Sequence, residues 1–261
     1  MRRFFIAAAA LIFALTATGQ TARERIMEDP SYALGVYRLY PTQFKEQSAV
    51  PKGYKPFYIS HYGRHGSRYQ TAPEKYEQPL ELFEQAAKDG KLTALGQDAL
   101  RRVRLISKDA HGRAGDLSAR GEREQRGIAE RMAKGYPQVF AGKNGNHITC
   151  LASPSVRSVM SMTVFTERLK EIHPDLQYTR YASEHDIDVT RPEKNMNIFY
   201  KEARAVAKEY QMKNTQDKEF IKRLFNDYDY AEKLICKTYG TATTYAFIGN
   251  MHDLAMIIQN F

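Results

Sequence analysis

The chain has 261 residues, 43% hydrophobic and 26% charged, with no tryptophan and a formal charge of +9. That balance belongs to a globular protein of one large domain or slightly more, without internal repeats or low-complexity tracts. The two cysteines, Cys150 and Cys236, allow one disulfide at most and have no metal-binding spacing.

MRRF followed by IAAAALIFAL and the small residues Ala17, Thr18 and Gly19 reads as a secretory signal peptide over residues 1–19. Cleavage after Gly19 would remove Arg2 and Arg3 and leave a charge of +7. The expected location is therefore exported: periplasmic, outer-surface or secreted. No later run is apolar enough to span a bilayer. A basic exported chain suits a polyanionic partner, whether nucleic acid, anionic lipid or a phosphorylated small molecule, or simply carries a solvated basic face. Charge alone does not choose among these.

Residues 20–55 are polar and tyrosine-rich, with prolines at 30, 41 and 51. PFYISHYGRHG then reads as a short strand running into a glycine-punctuated loop. Three helices are expected next: one from Pro73 to Asp89, stopped by Gly90; one in LTALGQDALRRVRLISKDA; and one in LSARGEREQRGIAERMAKGYP with Ser118 as cap. HITCLASPS returns to strand character, VRSVMSMTVFTERLKEIHP to helix, and DLQYTRYAS to strand. The order predicts an α/β fold with a mainly parallel sheet flanked by helices. After Pro192 the chain is charged and helical, as in a cap domain. The expected division is 1–19 signal peptide, 20–192 α/β core and 193–261 helical cap.

The chemistry concentrates in Arg64-His65-Gly66-Ser67-Arg68. Ligands of open parallel sheets bind beyond the carboxyl ends of strands, where this loop would lie. Gly63 and Gly66 permit close backbone approach. Two guanidiniums, always charged and forked to match phosphate oxygens, flank one imidazole that can act as nucleophile. Arg157 follows the second strand as Arg64 follows the first, so both are expected at one pocket.

RHGSR, LSARGEREQRG (through Leu117, Gly121 and Gln125, with Ser118 in place of a threonine) and SPSVRSVMS together resemble the histidine phosphatase superfamily, in its acid-phosphatase branch. Tyr69, Thr71 and the exported chain look most like the multiple inositol-polyphosphate phosphatase group, which includes bacterial phytases. The resemblance covers residues 54–182 well and the remainder loosely. It implies a phosphomonoester hydrolase with His65 as the residue phosphorylated and Arg64, Arg68 and Arg157 as a phosphate clamp. It implies no metal or organic cofactor, and a phosphorylated small molecule as partner, inositol polyphosphates such as phytate first among them.

The proton donor of that family lies in a late His-Asp or His-Ala-Glu segment. His252-Asp253 matches it in part, with Asp253 as donor. The favoured expectation is instead that the 261 residues are an N-terminal piece, incomplete at the C-terminus, with His252 on a cap helix. The alternative function is then an inactive phosphate-binding member.

Other groups carry less. His61 and His65 are too far apart in an extended chain to share an ion, so no metal site is expected, and His61 either supports the site or ends a strand. Glu184-His185-Asp186-Ile187-Asp188 lacks the glycine and distal glutamate of a calcium loop and reads as a capped, solvated turn. His111 and His173 read as solvated. Lys75, Arg101, Arg102 and Arg104 read mostly as solvated helix faces, and no nucleic-acid motif or basic aromatic platform is present. Cys150, within an apolar run, is a buried thiol or the partner of Cys236.

Overall fold

The computed structural model describes residues 21–40, 48–141, 146–191, 198–214 and 217–258. The expected signal peptide lies outside them. The chain divides into two compact units, Met1–Tyr40 and Pro41–Phe261. In the first, helix α1 (Ala22–Glu28) begins with a capping box. Thr21 Oγ1 accepts from the Glu24 N–H, and the Glu24 carboxylate accepts from the Thr21 N–H. A 3-10 helix, Pro30–Tyr37, follows.

The second unit holds two packed regions. Helices α2 (Glu74–Lys88) and α3 (Ala94–Ala110) pack on each other. In α3 the residues Leu100, Val103, Ile106 and Ala110 recur at three- and four-residue steps, which puts one apolar stripe inward. Thr93 starts that helix by accepting from the Gly96 N–H. Against this pair lie three helices from the far end of the chain. The element order between them is α4 (Ala119–Gly135), α5 (Pro137–Phe140), β1 (His147–Ala152), α6 (Val156–Ile172), β2 (Gln177–Ala182), α7 (Ile187–Thr190) and α8 (Ile198–Asn214). The late helices are α9 (Asp217–Leu224), α10 (Tyr228–Tyr239) and α11 (Tyr245–Ile258).

Phe83, Phe225 and Phe247 are fully buried at the centre of this region, with ring centroids 5.7–6.2 Å apart. Residues on both sides of the expected 192/193 boundary contribute to this one core. Helix α8 is exposed along residues 201–214.

The other region is a β1–α6–β2 unit with α4 packed on α6. The two strands are parallel, in register from His147 opposite Gln177 to Ala152 opposite Ala182. The molecule is thus mostly helical among its described residues, with a small parallel sheet. Parallel sheets are ordinarily covered on both faces, yet β2 is exposed at every position but Tyr178. This sheet supplies the expected strand direction but not the expected helix-flanked layer.

One expected element does not form. Residues 55–66 run without a β-ladder, and the loop's only bridge is Arg68 opposite Leu117, antiparallel. A cavity of about 450 Å³ lies beside this stretch, lined by Phe57–Ile59 and His61–His65 together with residues of β1 and α6.

Candidate functional site

The RHGSR loop is held by a short antiparallel seam. The Ser118 N–H donates to the Ser67 carbonyl (2.9 Å), Tyr69 N–H to the Asp116 carbonyl (3.0 Å) and Gly115 N–H to the Gln70 carbonyl (2.8 Å). Ser118 works twice at the start of α4. Its hydroxyl donates to the Ser67 carbonyl and accepts from the Gly121 N–H. The close fit needs glycine on both sides. A Cβ on Gly66 would stand 2.4 Å from the Gly121 carbonyl oxygen, and one on Gly121 would stand 2.2 Å from the Ser67 carbonyl oxygen. The first turn of α4 therefore lies directly against the loop backbone.

Glu124, Gln125 and Ser161 bind further groups of the loop. Glu124 accepts from the Ser67 N–H (2.8 Å) and from its hydroxyl (2.9 Å). Gln125, buried, donates to the Arg64 carbonyl at 3.1 Å. Ser161, on α6, accepts from the Gly66 N–H at 3.0 Å. Tyr69, buried, donates to Asp109 and accepts from Arg113. Arg68 also bonds to the loop, its Nη1 donating to the Tyr69 carbonyl at 2.7 Å.

His65 is half-buried at the centre. Its Nδ1 lies 2.8 Å from the Gly66 carbonyl oxygen. A carbonyl can only accept, so Nδ1 carries the proton and the lone pair sits on Nε2. Burial pushes the imidazole pKa from 6.5 down to about 4; the Gly66 hydrogen bond opposes this, and the charges of Arg64, Arg68 and Arg157 add to it. Arg64 lines the same cavity as His65, whereas Arg68 and Arg157 do not line it and act on the ring through their charge.

Arg157 enters from the first turn of α6. Its Nη1 lies 3.7 Å from where a Cβ on Gly115 would sit, beside Thr71. No described residue hydrogen-bonds its buried Nε. Burial holds its pKa below the usual value, with the cations Arg191 and Arg64 adding to the effect. At the same helix start, Ser153 and Ser155 each bond Ser158, at 2.9 and 2.8 Å, and Ser155 caps no backbone N–H with its side chain. Helix starts favour anions, and this one adds hydroxyls and a guanidinium.

The other candidates separate from the site. His61 stacks on Phe165 of α6 at 5.4 Å, and burial lowers its pKa. His252 and Asp253 lie on α11, their side chains 3.7 Å apart, and neither lines the cavity beside His65. Arg101 and Arg102 pair with Asp98, and Arg104 with Glu84, on exposed helix faces. The 184–188 segment turns into α7. His173 is half-buried and stacks on Phe140, not solvated. Cys150 and Cys236 are both free thiols; Cys150 lines the cavity, where burial raises its pKa. Among the described residues no group of three or more His, Cys, Asp or Glu could hold a metal, and no helix is long and apolar enough to cross a membrane.

Sequence reasoning missed Glu124, Ser161 and the Tyr69–Asp109–Arg113 set. Ser161 had a signal: it lies four residues after Arg157, on the same helix face.

No protein-family model and no curated protein matches the chain. Among solved structures, the chain is similar to the multiple inositol polyphosphate phosphatase of Bifidobacterium longum, solved with inositol hexasulfate, at 25% identity and a TM-score of 0.44. The match covers 50% of this chain and 27% of that one.

Proposed function

We propose that this chain is an exported phosphomonoester hydrolase that works through a phosphohistidine at His65, with inositol polyphosphates such as phytate as substrates. One observation carries the reading: an imidazole kept neutral down to about pH 4, its Nδ1 tied to a carbonyl, among three arginines. Nε2 would attack phosphorus, forming the N–P bond as the ester P–O bond breaks. The leaving oxygen takes a proton, and water then cleaves the N–P bond to release phosphate. Arg64, Arg68 and Arg157 would bind the transferring group and stabilise its charge. A histidine that stays neutral in mild acid remains a nucleophile there, which supports acid operation.

A second reading, phosphate capture without turnover, also has an observation in its favour. The leaving alkoxide needs a proton donor, and Asp253 lies on α11 away from the cavity lining. One experiment separates the two. Phosphate release from phytate and p-nitrophenyl phosphate is measured at mildly acid pH, beside calorimetric titration with inorganic phosphate. The hydrolase reading expects turnover that His65→Ala lowers by at least about 1,000-fold, with phosphate affinity kept. Binding without turnover in the unaltered chain selects the second reading. Neither binding nor turnover removes both.

A further inference from the structure

Several hydroxyls near the RHGSR loop spend their proton on the protein. Ser67 donates to Glu124, Ser118 to the Ser67 carbonyl and Ser153 to Ser158. On α6, Thr163 and Thr166 donate back to the carbonyls of Val159 and Met162, one turn earlier. Ser161 lies on the same helix and is only 5% exposed. Its Oγ accepts from the Gly66 N–H at 3.0 Å. That is its one hydrogen bond among the described residues, and its proton meets no carbonyl of the preceding turn.

A serine hydroxyl carries two lone pairs and one proton. The Gly66 N–H occupies one lone pair, so the proton turns away from the loop backbone. A buried donor without an acceptor is costly, and native structures rarely leave one so. Ser161 lines the same cavity as His65, Arg64 and Gln125. Gln125 already donates to the Arg64 carbonyl. An occupant of the cavity therefore completes the bonding of Ser161. The Gly66 nitrogen is joined directly to the His65 carbonyl carbon, which sets the hydroxyl one residue from the imidazole. A phosphate group at His65 would bring oxygens that accept and do not donate when fully ionised. The N–H bond into Oγ polarises the O–H and strengthens it as a donor to such an oxygen.

We infer that Ser161 is a further substrate-binding residue, whose hydroxyl donates to an oxygen of the phosphate group held beside His65. The inference rests on the phosphate reading of the His65 site but not on turnover there. Ser161 then has two tasks, accepting from the loop backbone and donating to the ligand.

The test uses the full chain, inorganic phosphate and two measurements. By calorimetry, Ser161→Ala should weaken phosphate binding by about tenfold or more, the range of a charge-assisted hydrogen bond. By NMR, the Ser161 hydroxyl proton of the unaltered chain saturated with phosphate should show a scalar coupling to the phosphorus nucleus across the hydrogen bond. A role limited to supporting Gly66 would not produce that coupling. Weakened binding without the coupling overturns the inference, as does unchanged affinity in Ser161→Ala or no phosphate binding by the unaltered chain. If Ser161→Ala fails to fold, the coupling in the unaltered chain decides alone. Turnover of p-nitrophenyl phosphate by the unaltered chain is measured in parallel. Its absence together with the coupling sinks the hydrolase reading and leaves Ser161 as a phosphate-binding residue. Its presence without the coupling sinks the Ser161 inference alone.

Discussion

Around Phe83, Phe225 and Phe247 side chains from α2, α9–α11 and the turn between α9 and α10 exclude water, and α3 closes the same core with Leu100 and Val103. Around His65 the chain is organised differently. The fully formed apolar cluster there consists of Ala129, Ala133, Leu169 and Leu176, with Phe140, Ile148, Phe165 and Tyr178 partly buried against it. Next to that cluster lies the cavity. Position at the site comes from directed hydrogen bonds: Ser67 to Glu124, Gly66 to Ser161, Arg64 to Gln125. Apolar burial is non-directional and gives stability in proportion to area. Hydrogen bonds contribute less net free energy but fix angles and distances. The aromatic region therefore supplies the stability, and the site region supplies geometry while leaving room for a ligand. The surface ion pairs Arg126–Glu171 and Arg168–Glu130 join α4 to α6 but are exposed and add little.

The division can be broken by cutting each region in turn. Phe247→Ala removes a ring in contact with three other phenylalanines and Tyr239. It should cost about 3–5 kcal/mol in urea denaturation, as large aromatic truncations in cores do. A loss below about 1 kcal/mol would mean that this cluster is not the stabilising core. Gly66→Ala drives a methyl into the Gly121 backbone and should cost about 1–3 kcal/mol. Its sharper mark is local: phosphate affinity should collapse while amide exchange in α2, α3 and α10 keeps its protection. Protection lost equally in both regions would dissolve the comparison.

The third way to sharpen the comparison is the titration of His65. Folding lowers its pKa from 6.5 to about 4. The unfolded chain therefore takes up the proton first. Stability from this group is complete above pH 6.5 and is lost as pH falls from 6.5 through 4. Bound phosphate, an anion beside the imidazole, should raise the folded pKa again. NMR titration of the His65 ring should show a ligand-free midpoint near 4 that moves upward with added phosphate. A ligand-free midpoint at 6.5 would mean that the ring is solvated and the site open.

The sequence by itself determined the elements whose causes are local. Ser118 announced a helix start, Gly90 an end, and apolar spacing set α3, α4 and α6. These signals act over three or four residues, which is the range of one helical turn. The clustering of Arg64, His65 and Arg68 was legible for the same reason. Tertiary structure decided everything that spans long stretches of chain. Glu124 meets Ser67 across 57 positions and Ser161 meets Gly66 across 95. The Gly66–Gly121 fit depends on how α4 docks against the loop, which neither segment specifies alone. The apolar run before the loop reads as a strand, yet a strand exists only where a second backbone meets it, and residues 55–66 pair with none in a ladder. The sequence favoured a cap helix for His252, and His252 and Asp253 lie on α11. What the sequence did not give is where that helix packs: against α2 and α10, with Phe247 and Leu254 buried in the aromatic core.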